Sequence, residues 1–585
     1  MKLTSLFKFS TLAAAVIAGN AYAGNLPTLP TIGNSGAGFA GGATINGGAS
    51  YLGTVPAGET VQVRGQINVA AGDVGKTGDI LIVAKVGNKF FQAGQSGWSS
   101  LAIDLASSSL GIVPYSTGTL PATFSYDEDD LAAALGEDLT GKTVKVLFGY
   151  APSGAGIRYG KAVRAQVAPT PSDTVCPDGE APTAAVTLGG NQICTLTGTY
   201  TEDLHLTKNF DYVISGAVRI GMDNTSDAKL IIDPGVTTYG QSGNDFIWID
   251  RGAQIWANGT KDNPITMTSA NDLDATATTR GEWGGLVING NAPINGCTTA
   301  PCESAGEGNS GMFGGSDPED NSGSLTYLRV KYAGFLINDL DELNGIAFQG
   351  VGSGTNVDYV QVHNNQDDGV EFFGGTVNAR HLYLTGNRDD SLDWTFGWTG
   401  KVQHVVIVQG ADTGDQGFEM DNNGDAPDSS PRAQPVISNV TMVGNANTDI
   451  GMLIREGTGG NFYNFVITGF GDGCIDIDTT ETFTAAGTPN SLTGTLTMNN
   501  SVVDCTTNFV EDAGEAFTVE SWFSAQDGNE ELVTGMTDYI NTTAVNALDS
   551  TDPTTLGSFF EAADYVGAVP NAGEDWTEGW TFRPL

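Results

Sequence analysis

Short runs of alternating apolar and polar residues dominate the chain, and Gly/Asn turn signals separate them. Thr60-Val61-Gln62-Val63-Arg64, Ile80–Val86, Lys89-Phe90-Phe91-Gln92 and Val144–Tyr150 read as strands of a β-sandwich over residues 43–167. Residues 24–42, rich in Gly, Asn, Pro and Ser, predict a flexible leader, and residues 168–182 a linker. Beyond the linker a unit of about 22–26 residues recurs. One strand pattern reads Asn344-Gly345-Ile346-Ala347-Phe348, then Asp368-Gly369-Val370-Glu371-Phe372, Asp390-Ser391-Leu392-Asp393-Trp394 and Gln416-Gly417-Phe418-Glu419-Met420. It returns at Ile450–Ile454 and Gly473–Ile477, and a second pattern such as Val360-Gln361-Val362 or Leu382-Tyr383-Leu384 follows each. Such a unit cannot bury its apolar face alone, whereas copies stacked about 4.8 Å apart can. The expected fold is therefore all-β: a parallel β-helix over residues 183–505, a capping region over 506–585 and the small sandwich in front. The insertion Asp421–Ala433 lengthens one unit.

The N-terminus adds a compartment. Lys2 and Lys8, the apolar run Leu12–Ala18 and Ala21-Tyr22-Ala23 predict a signal peptide, residues 1–23, exporting a mature chain that starts at Gly24. The run is too short to span a bilayer, so an extracellular or cell-surface location is expected. Six cysteines fit an oxidising compartment, with nearest-neighbour pairing expected: Cys176 with Cys194, Cys297 with Cys302, Cys474 with Cys505. The spacing lacks the CxxC of a metal cluster. Lysine and arginine number 25 against 68 aspartates and glutamates, a formal charge of −43, which becomes −45 when the signal lysines leave. That charge excludes nucleic acid and anionic membranes as partners.

Much of the acidity falls in register. Glu371, Asp393 and Glu419 each sit between two apolar residues, so alternation turns the carboxylates outward. Neighbouring charges about 4.8 Å apart repel by roughly 1 kcal/mol in water and several times that at lower dielectric. A cation, a raised pKa or splaying into solvent relieves this. A solvated acidic face is the expectation, with Ca²⁺ binding and catalysis as the alternatives. Asp367, Asp389 and Asp415 crowd the same edge. The loop Asp421-Asn422-Asn423-Gly424-Asp425, with Asp428, offers oxygen ligands at Asp421, Asn423, Asp425 and Asp428 that suit Ca²⁺. Asp127–Asp130, Asp317–Asn321 and Asp339–Glu342 read as solvated loops. His381, His404, Asn439 and Asn464 share one position in successive units and read as a structural polar ladder. Arg455 and Lys401 are the basic residues near the acidic row, and there is no His-Gly or Arg-x-Lys partner for an Asp pair.

Arg251-Gly252-Ala253-Gln254-Ile255, Asn263-Pro264-Ile265, Arg280-Gly281-Glu282-Trp283-Gly284-Gly285 and the end Tyr565–Val569, Trp576 and Gly579-Trp580-Thr581 resemble a secreted bacterial right-handed parallel β-helix family over about residues 183–585. The leader, sandwich and acidic β-helix together also look similar to S-layer and biofilm-matrix proteins of marine gammaproteobacteria. These resemblances imply a non-enzymatic surface protein that assembles with copies of itself and with outer-membrane polysaccharide. At −45 per chain such assembly calls for counterions, so structural Ca²⁺ bridging carboxylates within and between subunits is expected. A polysaccharide lyase or hydrolase acting through Asp393 and Glu419 is the alternative. A glycan-binding adhesin using Trp394 and Trp398 is another.

Overall fold

The computed structural model describes residues 26–583, apart from 30, 32–35, 46–50, 52–53, 56–58, 88, 102–111, 168–174, 181, 183–190, 274–277, 298, 300 and 339–340, together with the two-residue strand Ala15–Val16. The expected signal peptide otherwise lies outside these residues, as does much of the expected linker. The chain divides into two compact units, 1–172 and 173–585.

The first unit is built from two sheets. Pro27–Leu29, Gly38–Thr44, Gln62–Asn68 and Thr123–Glu128 pair antiparallel in one. Thr77–Val86 and Thr143–Pro152 form the centre of the other. Phe39, Val63 and Ile67 from the first sheet and Ile82, Val146 and Phe148 from the second share one buried core. Gly65 is required where the sheets approach, because a Cβ there would lie 2.2 Å from the Phe148 ring. The expected leader is corrected here: Gly38–Thr44 is an ordered strand paired along its length with Gln62–Asn68, because its small residues fit between the sheets.

The second unit is a stack of coils carried by a 24-stranded sheet. Each central coil holds one long strand, bent at a corner, and one short strand. Asn356–His363, Asn378–Thr385, Lys401–Val408 and Val436–Val443 are long strands in parallel register. Val370–Phe373, Leu392–Thr395 and Phe418–Met420 are the short ones. Alternation decides which residues turn in: Val370, Phe372, Leu392, Trp394, Phe418 and Met420 are fully buried in the interior core. Trp398 is buried with them and stacks on Phe372 at 4.1 Å, so neither expected sugar-stacking tryptophan is exposed.

The corner falls on a residue with positive φ: Tyr359, His381, His404, Asn439 and Asn464. Asn and His tolerate that region better than most side chains. The C-terminal residues were expected to cap the stack. The helix Val519–Ser524 does so, burying Val519, Trp522 and Phe523 in the core. The remainder instead returns over the corner, because the corner's polar side chains need partners. Asn464 exchanges two hydrogen bonds with Thr551, each 2.8 Å, and Gln361 exchanges two with Phe582, each 2.7 Å. The three disulfides are Cys176–Cys194, Cys297–Cys302 and Cys474–Cys505. Such bonds belong to an oxidising, extracellular setting. Among the described residues no helix is long and apolar enough to cross a membrane.

Candidate active site

One outward row runs along the short strands. Trp248, Val287, Ala347, Glu371, Asp393, Glu419 and Leu453 are paired in register from strand to strand. At its start the row is apolar and covered: Val287 and Ala347 pack with Ile294, Phe313 and Leu343 in a separate small core. Residues 291–322 and the hairpin of Phe335–Asn338 and Asp341–Leu343 supply that cover. The insertion 421–433 closes the other side and meets the first loop at Asn295, whose Nδ2 donates to Asn422 Oδ1 at 2.8 Å.

The expected solvated acidic face is therefore corrected. Glu371 and Asp393 point outward from the core but are only 7% and 8% exposed, because the loops enclose them. The row opens toward Glu419, whose side chain is 20% exposed, and Arg455, at 34%.

Behind this row stands a second ladder that the sequence pattern hid. The side chain of Asn344 accepts from the backbone N–H of Asp368, Asp368 from Asp390, Asp390 from Gln416, and Gln416 from Ile450, at 2.7–3.1 Å. Amides occupy two of its four rungs and carboxylates the other two. Any side-chain oxygen satisfies the backbone donor, so charge at Asp368 and Asp390 is not needed for the bond. The glycines at 345, 369 and 417 let the coils close there: a Cβ on Gly369 would lie 2.6 Å from the Ser391 carbonyl oxygen.

These carboxylates are electrostatically crowded. Asp368, Glu371 and Asp393 each offer an oxygen within 4.8 Å of the others. Burial first, then neighbouring carboxylates, holds Asp368, Glu371, Asp390 and Asp393 well above the ordinary range. Glu307 behaves likewise; it and Glu371 both accept from Asn344 Nδ2, at 3.0 and 2.6 Å. Burial, then Glu342, raises Asp367 to about 9. Glu419 rises only to about 7, because Arg455 opposes the burial. That arginine is the row's ion-pair partner: 2.8 Å from Glu419 and 3.0 Å from Asp421. Asp393 is in no ion pair among the described residues, and its Oδ1 is buried without a hydrogen-bond partner.

The expected calcium loop is not brought together. Asp421 turns to Arg455, Asn423 bonds Asn295, Asp428 pairs with Arg432, and Asp425 is exposed. Each residue is used separately to pin the insertion. Glu342, expected in a solvated loop, instead joins Asp367 and Asp389 within 4.8 Å. Lys401 begins a long strand and makes no ion pair with the row among the described residues. The residues missed were Asp368, Asn344, Glu307 and the ladder role of Asp390. Their one signal was the rung position itself, read as Asn, Asp, Asp, Gln in successive units. A polar cavity of about 550 Å³ lies beside this edge, lined by Arg280, Asn364, Gln366, Arg388 and Asp412 among others. Gln366 and Arg388 directly precede Asp367 and Asp389 in the chain.

The pectate-lyase-like β-helix domain family matches residues 198–581, and the chain belongs to that family. No curated protein matches it. Two solved structures are similar to it. One is the catalytic domain of a GH87 α-1,3-glucanase in complex with tetrasaccharides, 10% identical over 89% of this chain and 100% of that one, TM-score 0.28. The other is the catalytic unit of a thermostable GH87 α-1,3-glucanase from Streptomyces thermodiastaticus, 12% identical over 81% and 91%, TM-score 0.20. At these scores neither residue roles nor activity pass to this chain. The expectation of a non-enzymatic S-layer or matrix protein is nonetheless overturned. The matching family is a pectate-lyase-like β-helix domain, and Glu371 and Asp393, two of the carboxylates expected to hold Ca²⁺ within and between subunits, are enclosed within one chain.

Proposed function

We propose that this chain is an exported glycoside hydrolase acting on an uncharged polysaccharide, with Asp393 as proton donor and Glu419 as nucleophile. One observation carries this: on adjacent strands of one row, Glu419 has a guanidinium 2.8 Å away while buried Asp393 has none. Two carboxyl groups whose surroundings favour opposite protonation states divide the acid and base roles between them. Asp393 gives its proton to the glycosidic oxygen as the bond to C1 breaks, and Glu419 bonds to C1. Water then attacks C1, giving its proton to Asp393 and releasing Glu419. Residues on neighbouring strands lie about 4.8 Å apart, close to the roughly 5–5.5 Å of retaining enzymes. The acidic surroundings repel anionic glycans, which restricts the substrate to neutral ones. The signal-peptide pattern and the disulfides support export.

The test is reducing-sugar release from a panel of neutral polysaccharides, with NMR of the product anomer. Activity lost in Glu419→Gln and Asp393→Asn, with retained configuration, supports the assignment. Wild-type activity in both variants sinks it.

A second reading rests on the unpartnered Oδ1 of Asp393 beside Asp368 and Glu371. Hard oxygen donors of this kind suit Ca²⁺. Under that reading Asp393 is a ligand rather than an acid, calcium binds stoichiometrically and raises the Tm, and EGTA reverses both. Hydrolysis that proceeds in EGTA favours the acid.

A further inference from the structure

The corner column holds histidine at two rungs where the later rungs hold asparagine. His381 and His404 stack at 4.9 Å with their planes 15° apart. Glu561, from the returning C-terminal segment, reaches the same point: one ligand atom from each of the three lies within 4.8 Å of the other two. His381 donates from Nδ1 to Asp358 Oδ1 at 2.7 Å. A carboxylate in that position orients an imidazole and leaves Nε2 as the free lone pair, as it does behind metal-bound histidines. His404 is 5% exposed, and its Nδ1 is buried with no hydrogen-bond partner. The Glu561 side chain is 41% exposed, so the group is open to solvent on that side.

We propose that His381, His404 and Glu561 bind one first-row transition-metal ion, Zn²⁺ for preference, which clamps the C-terminal segment to the corner of the β-helix. Two imidazoles and one carboxylate are a zinc donor set, whereas Ca²⁺ takes oxygen alone. Bonds of about 2.0–2.2 Å place tetrahedral ligands roughly 3.3 Å apart, so the ion draws the three side chains together. Glu561 then shifts from Arg380, now 3.5 Å away, which keeps its bond to the Phe559 carbonyl. Water completes the coordination from the solvent side.

The test uses the full chain, stripped with chelator and titrated with Zn²⁺ by calorimetry, with Co²⁺ as a visible-spectrum probe of imidazole ligation. His404→Asn removes the ligand while keeping the column, because Asn439 and Asn464 hold the same corner at φ 59° and 61°, against 61° for His404. The expected result is one equivalent of Zn²⁺, a raised Tm, and loss of both in His404→Asn and Glu561→Gln. Asp358→Asn should weaken binding by about 10–100-fold. Metal-free His404→Asn should melt with the wild type. Failure of the wild type to bind Zn²⁺, or undiminished binding in His404→Asn and Glu561→Gln, overturns the proposal; the second result places the ion elsewhere.

Discussion

At the corner of the coils, Asn439 gives its amide hydrogens to the Tyr565 and Gly567 carbonyls, and Asn464 pairs with Thr551. On the short strands of the same coils, Glu371, Asp393 and Glu419 stand in an equally regular row. There a single arginine serves the outer end, Asn344 donates to Glu371, and among the described residues no cation pairs with Asp393. Both arrays are polar, stacked and mostly buried. The first is finished by a segment of chain that satisfies its asparagines and leaves His404 Nδ1 without a partner. The second is enclosed by loops that desolvate it, and among the described residues Asp393 is left without an ion pair. Burying charge without a partner is costly, and amides at Asn344 and Gln416 show that the neighbouring ladder works without it. The difference is what the proposed division of roles expects, with structure at the corner and chemistry in the row.

The largest effect should come from removing the chemistry. Asp393→Asn and Glu419→Gln are expected to lower hydrolysis by about 10²–10⁴-fold, while the Tm stays nearly level, because burial already holds Asp393 protonated and Arg455 keeps Asp421 as a partner. A fall in Tm matching the loss of activity would make the row structural like the corner.

Next comes pH. Asp367 and Glu419 titrate at about 9 and about 7 in the folded chain, against about 4 when unfolded. Between those values the folded state holds more protons, so stability falls as pH rises. Unfolding followed by circular dichroism should show a higher Tm near pH 5 than near pH 8, the stability differing by on the order of a few kcal/mol. A Tm that rises with pH over that window contradicts the enclosure of these groups.

The corner should respond in stability alone. Asn464→Ala strands both groups of Thr551, costing about 1–3 kcal/mol, and puts a methyl at positive φ, costing about 1–2 more. Asn464→Gly should recover the second part in guanidinium unfolding. The smallest effect is expected for Asp390→Asn. Its oxygen still accepts from Gln416, so stability should change by no more than about 1 kcal/mol, whereas Asp390→Ala loses the bond.

Much of this was legible along the chain. The recurring strand pattern implied stacked coils, and alternation turned Trp394 inward and Glu371, Asp393 and Glu419 outward, as the structure has them. Asp389 and Asp415 crowd one edge as their spacing suggested. Outward was nevertheless taken to mean solvated, and that step failed. Whether an outward face meets water depends on loops such as 291–322 and 421–433, which carry no periodicity and whose placement follows from long-range packing.

The sequence by itself determined the period and the strand phase, because these depend on local alternation, and left the choice among fifteen cysteine pairings to the structure. Only the tertiary structure decided that Asp393 is enclosed, that Arg455 belongs to Glu419, and that Glu561 stands beside His381 and His404. Those contacts join residues far apart in the chain, and a repeat pattern records what each coil does to the next but not what folds back over it.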